Sequence, residues 1–166
     1  MPNADFPNRD LRPILYAEDS GDDAFLMERA FRKANFLNQL KVVYNGQQAI
    51  DYLAGKALFA DRTIYPIPAM VLLDLKMPQK TGLEVVQWIR GEGRMNDLTV
   101  FLLSSSNLEK DISSAYRLGA NGYLVKPMAL DGMLSLVSEL RDLCLRGEKV
   151  SGWTELKHNQ PKPVGT

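Results

Sequence analysis

Five short apolar runs alternate with stretches of helical period between about Leu11 and Leu145, and that alternation leaves few folds open. Strands separated by helices pair in parallel, and the helices cover the sheet, so the expected class is α/β. The first run, Ile14-Leu15-Tyr16-Ala17, precedes a helix from about Asp22 to Ala34, in which Met27, Ala30, Phe31 and Ala34 fall at i, i+3, i+4 and i+7. Ser20 or Asp22 is its candidate cap. A second strand at Leu40 to Tyr44, interrupted by Lys41, reads as an edge; Asn45-Gly46 then turns into a short helix with Ala49, Ile50 and Leu53 on one face. Gly55 to Pro68 has no clean period and reads as a long connection. Ala69 to Leu73 is the central strand, and Gly82 opens a helix carrying Val85, Val86 and Ile89 that ends at Gly91-Glu92-Gly93. Thr99 to Leu103 and Tyr123 to Val125 are the last two strands. A helix over Leu108 to Leu118 separates them, with Ile112, Ala115 and Tyr116 expected inward, and another follows over Leu130 to Leu145, burying Met133, Leu136, Val137, Leu140 and Cys144.

A length of 166 residues with 45% apolar and 24% charged side chains suits one domain with a real core. The expected division is a flexible arm over 1–10, a folded unit over 11–147, and a polar tail over 148–166 that holds Trp153 and lone His158. Formal net charge is zero, so nothing global favours nucleic acid or an anionic membrane surface. The single cysteine excludes an internal disulfide and fits a reducing compartment. The first nine residues lack the basic and apolar regions of a secretory signal, and no apolar run approaches the roughly 20 residues that cross a bilayer. A cytoplasmic location is expected.

The chemistry gathers where the strands end. The central run stops abruptly at Asp74, the first runs into Glu18-Asp19, the fourth into Ser104, and the fifth into Lys126-Pro127. Each has an ordinary explanation taken alone: acidic residues cap helices, an aspartate after a strand makes a turn, and serine or lysine suits a solvated loop. Together they point elsewhere, because ligands of an open parallel sheet collect outside the carboxyl ends of its strands. If the first and third strands are neighbours, their carboxylates repel unless a cation bridges them. Mg²⁺ fits, being small, hard and content to keep part of its water shell. Asp19 and Asp74 are then the expected direct ligands, with Glu18 acting through water and the Lys76 backbone carbonyl completing the set. Asp74 becomes a nucleophile toward a phosphoryl group, Lys126 a point charge for one phosphate oxygen, and Ser104 a hydrogen-bond donor to another. A cis bond before Pro127 would aim the lysine inward.

With Glu18-Asp19-Ser20, Asp74 with Met77-Pro78 and Gly82, Leu103-Ser104-Ser105, and Tyr123-Leu124-Val125-Lys126-Pro127, the chain resembles the receiver domain of two-component response regulators. The Glu18 to Asp23 segment and the Tyr-Pro insertion before the third strand are most similar to single-domain regulators serving phytochrome-type and related sensor kinases. The resemblance implies a flavodoxin-like, doubly wound five-stranded sheet in the order 2-1-3-4-5 with five helices. It implies phosphorylation of Asp74 by a histidine kinase or phosphotransfer protein, with Ser104 and Tyr123 as switch residues reshaping helix 4, strand 5 and helix 5. A homodimer through that surface is one output it leaves open. On this reading the chain is no dedicated enzyme. Lys76, two residues after the acceptor, also bears on how long an aspartyl phosphate lasts.

Three other readings compete. A haloacid dehalogenase-type enzyme requires an aspartate where Lys76 stands, and a flavin or dinucleotide binder requires a phosphate cradle where Asp19-Ser20-Gly21-Asp22-Asp23 would repel phosphate. A phosphate-blind, receiver-like interaction domain would leave the acidic cluster without a purpose.

Overall fold

The computed structural model describes residues 10–91 and 95–146. Residues 1–9, 92–94 and 147–166, which include most of the expected arm, the Glu92-Gly93 helix stop, Trp153 and His158, lie outside the described residues.

The strands are β1 (Ile14–Ala17), β2 (Leu40–Val43), β3 (Met70–Asp74), β4 (Thr99–Ser104) and β5 (Gly122–Val125); the helices are α1 (Gly21–Lys33), α2 (Gly46–Ala54), α3 (Gly82–Gly91), α4 (Glu109–Leu118) and α5 (Leu130–Arg146). All strand pairs are parallel, in the order β2-β1-β3-β4-β5. The sequence expectation of a doubly wound α/β sheet holds.

Side-chain alternation splits the core in two. Leu15, Val71, Leu73, Val100, Leu102 and Tyr123 face one side with α2, α3 and α4, while Ile14, Tyr16, Met70, Leu72, Phe101 and Leu103 face the other with α1 and α5. Burial on both faces explains why the strands read as unbroken apolar runs. Ser20 caps α1 by accepting from the Asp23 N–H at 3.3 Å, and Asn45 caps α2 by accepting from Gln48 N–H at 2.8 Å.

Two packing expectations need correction. Tyr116 points outward and is exposed, since Ile112 and Ala115 already fill the inner face of α4. Cys144 is half-buried at the edge of its cluster, and Leu143 takes the core place beside Leu140.

The long connection between α2 and β3 is ordered without a hydrophobic period. A 3₁₀ turn at Ala57–Phe59 lets Phe59 and Tyr65 pack on Tyr52, while Arg62 donates to the carbonyls of Tyr52, Leu53 and Tyr65. One guanidinium thereby satisfies orphan carbonyls at the end of α2.

Candidate functional site: an acidic cluster at the carboxyl end of the sheet

β1 and β3 are paired with Ala17 opposite Leu73, so the next residue on each strand, Glu18 and Asp74, emerges at the same edge. Glu18, Asp19 and Asp74 each present a carboxylate oxygen, and these oxygens lie within 4.8 Å of one another. All three donors are hard oxygens, the set a hard divalent cation takes. Asp19 is exposed, whereas Glu18 and Asp74 are buried.

Among the described residues one cation faces this cluster. Lys126 Nζ donates to Glu18 Oε2 at 2.8 Å and to Asp23 Oδ2 at 2.9 Å, and stands 3.6 Å from Asp74 Oδ2. Burial alone would lower the Lys126 pKa, but its bonds to Glu18 and Asp23 outweigh that and raise it. Asp74 moves up to about 6, because burial and the charge of Glu18 disfavour its anion more than Lys126 and the Lys76 backbone N–H favour it.

Glu18 accepts three hydrogen bonds. Its Oε1 accepts from Ser20 N–H at 3.0 Å, and its Oε2 takes the Tyr16 hydroxyl at 3.0 Å as well as Lys126. Burial and the nearby Glu18 carboxylate keep the Tyr16 phenol protonated far beyond its ordinary range. Read from sequence alone, Tyr16 has no separate role, hidden within an apolar run, and Asp23 stands only as part of an acidic segment that would repel phosphate.

Ser104 ends β4, where its carbonyl accepts from Lys126 N–H at 2.8 Å and its Oγ accepts from Ser106 N–H at 3.1 Å. Tyr123 is buried, and its hydroxyl donates to the Ser106 carbonyl at 2.7 Å. Ser106 Oγ in turn donates to Asp111 Oδ2 at 2.8 Å, in the first turn of α4. The Lys76 side chain is exposed. Gly82 is required by space: a Cβ there would run into the Asp74 carbonyl oxygen.

The expected cis bond before Pro127 is not found, since no peptide bond among the described residues is cis. The trans form is favoured intrinsically, and pairing of Lys126 N–H with Ser104 already aims the side chain at the carboxylates without it.

The family profile described as "Response regulator receiver domain" matches residues 14–138, from the start of β1 into α5. The chain belongs to the response regulator receiver family. Among curated proteins, the receiver is 31% identical to the probable methanogenesis regulatory protein FilR2 of Methanothrix harundinacea, over 84% of this chain and 87% of that protein. The crystal structure of response regulator RPA3017, in red light signaling of R. palustris, superposes with a TM-score of 0.76 at 38% identity, covering 80% of this chain and 93% of that one. Rcp1 of Synechocystis is 28% identical over 80% of this chain and 88% of its own length. Its Mn(2+)-bound structure gives a TM-score of 0.73 at 26% identity, covering 85% and 99% of the two chains. As in that family, the receiver's acidic cluster suits a divalent cation, and response regulators pair with histidine kinases in two-component systems. Among the described residues no helix is long and apolar enough to cross a membrane.

Proposed function

We propose that the chain is a response regulator that accepts a phosphoryl group on Asp74 from a histidine kinase or phosphotransfer protein, with Mg²⁺ as the cation. The observation that carries this reading is the convergence of Glu18, Asp19 and Asp74 within 4.8 Å with Lys126 beside them. An Asp74 carboxylate oxygen attacks phosphorus, an O–P bond forms, and the P–N bond of the donor phosphohistidine breaks. Its electron pair returns to the imidazole nitrogen, which takes up a proton. Asp19, Asp74 and the Lys76 carbonyl would hold Mg²⁺, with Glu18 acting through water, and the bound ion would supply charge neutralisation to the phosphoryl oxygens. Lys126 offers its ammonium to one phosphoryl oxygen, and the Ser104 hydroxyl donates to another. The chain assists its own phosphorylation and dephosphorylation and is not a dedicated enzyme.

Ser104 reaches the phosphate by turning from Ser106 N–H, and Ser106 carries the change to Tyr123 and α4 through the bonds already described. The output surface is then α4, β5 and α5, where Leu108, Tyr116 and Met128 are exposed, and a homodimer through it is one mode of signalling. We assign residues 11–147 to the receiver, flanked by an arm and a polar tail, and place it in the cytoplasm. The proposed kinase is of the phytochrome-related class, by likeness to the cyanobacterial phytochrome response regulator RcpA and the bacteriophytochrome response regulator AtBRR.

The test is mass spectrometry of the intact protein with Mg²⁺ and a small acyl phosphate. One phosphoryl group should be added to the wild type and none to Asp74→Asn. Equal labelling of both proteins would remove the assignment, and indifference of the wild type to both Mg²⁺ and phosphodonors would favour the phosphate-blind reading. Sedimentation with and without phosphodonor tests the dimer.

A further inference from the structure

Lys126 Nζ carries three hydrogens, and two are committed to Glu18 Oε2 and Asp23 Oδ2 at 2.8 and 2.9 Å. Asp74 Oδ2, at 3.6 Å, is an ion-pair partner beyond hydrogen-bond range. A phosphoryl group on Asp74 brings new oxygens beside this ammonium; the one uncommitted hydrogen can meet one of them, and a second charge-assisted bond is made only by turning away from a present partner. The two partners are unequal. Glu18 has a side chain with 0% exposure, so releasing it leaves a buried carboxylate held by the neutral donors Tyr16 O–H and Ser20 N–H without its cation. Asp23 has a side chain 38% exposed, in the first turn of α1, where water and the helix amino end stabilise it after release.

We propose that Asp23 is the exchange partner of Lys126: it holds the ammonium in the unphosphorylated protein, gives it up when phosphate arrives, and so sets how far the equilibrium favours the phosphorylated form. This rests on Asp74 being the phosphoacceptor. Asp23 is a positioning residue, acting through Lys126 without touching the reacting atoms. Its neighbour Asp22 bears the same charge on the same turn, is exposed, and makes no bond to Lys126, which makes it the natural control.

The experiment titrates the full chain at saturating Mg²⁺ with beryllofluoride, a phosphoryl mimic, and reads the bound ¹⁹F resonance. Asp23→Asn should bind about threefold more tightly than the wild type, the scale expected of losing one partly exposed ion pair. Asp22→Asn should match the wild type, and Asp23→Glu should restore its affinity. In the wild type itself, the carboxyl ¹³C resonance of Asp23 should move on beryllofluoride binding while that of Asp22 stays, a readout independent of how any variant folds. An unmoved Asp23 resonance, unchanged or weaker binding by a folded Asp23→Asn, equal tightening by Asp22→Asn, or failure of Asp23→Glu to restore affinity would each overturn the exchange. A wild type that binds beryllofluoride while failing these tests leaves the phosphoacceptor reading standing; one that does not bind it at all removes both.

Discussion

The two ends of the sheet handle charge in opposite ways. At the amino end of β4 and β5, Arg90 donates to the carbonyls of Gly119, Met95 and Asn96 and to Asn121 Oδ1, and Asn121 also exchanges bonds with Val100. Neutral oxygens surround one guanidinium there. At the carboxyl end, one ammonium serves Glu18, Asp23 and Asp74, with Asp19 close by. Among the described residues four carboxylates face one cation, and burial together with the Glu18 charge raises the pKa of Asp74 despite Lys126. A satisfied network fixes structure, whereas an unbalanced one keeps capacity for an ion or a phosphoryl group.

That contrast can be broken first at the amino end. Arg90→Ala should cost about 3 kcal/mol in denaturant unfolding, because several carbonyls lose a charged donor, with phosphoryl acceptance retained in the folded fraction. At the other end, Lys126→Gln should raise Mg²⁺ affinity on the order of tenfold in calorimetric titration, since a competing positive charge is gone, while phosphorylation falls. Equal Mg²⁺ affinity in the two proteins would mean that the ammonium does not compete with the ion for these carboxylates.

Asp74→Asn should stabilise the metal-free protein by about 1 kcal/mol near pH 7.5, a figure reduced for the solvent that still reaches the carboxyl. The folded pKa of about 6 lies above the ordinary 3.8, so the protonated acid favours folding. Its stabilising contribution is present below the ordinary value and disappears as pH rises through about 6, which makes the advantage of asparagine grow over that window and then level off. Melting curves across pH check this, and Mg²⁺ should narrow the gap. The smallest effect belongs to Gln79, which sits at φ +64° between Pro78 and Lys80 as Lys80 N–H closes onto the Pro78 carbonyl. Gln79→Gly should stabilise by about 0.5 kcal/mol, a partial relief of left-handed strain offset by the entropy of glycine. A loss in thermal melts would show that the side chain contributes packing.

Much of the site was legible because strand ends in a parallel sheet have a common destination. Glu18, Asp19, Asp74, Ser104 and Lys126 could each be placed at the mouth of the sheet from one boundary between apolar and polar residues. Asp23 could not, since the same aspartate serves as ordinary first-turn charge unless Lys126, 103 positions away, reaches it. Tyr16 was hidden for the opposite reason, its ring obeying the core pattern while its hydroxyl serves Glu18. Tyr116 and Cys144 show the limit of helical period, which marks a face but not how far it is covered.

Local order in the chain determined the strands, the helices, their parallel winding and the edge where acidic groups emerge, because periodicity and caps act over a few residues. Only the folded arrangement decided which carboxylates share Lys126, that Lys126–Pro127 stays trans, and that Arg62 and three aromatic rings organise a segment without any repeat. Those outcomes depend on distances between residues remote in sequence and on how much water each keeps, neither of which is written in local spacing.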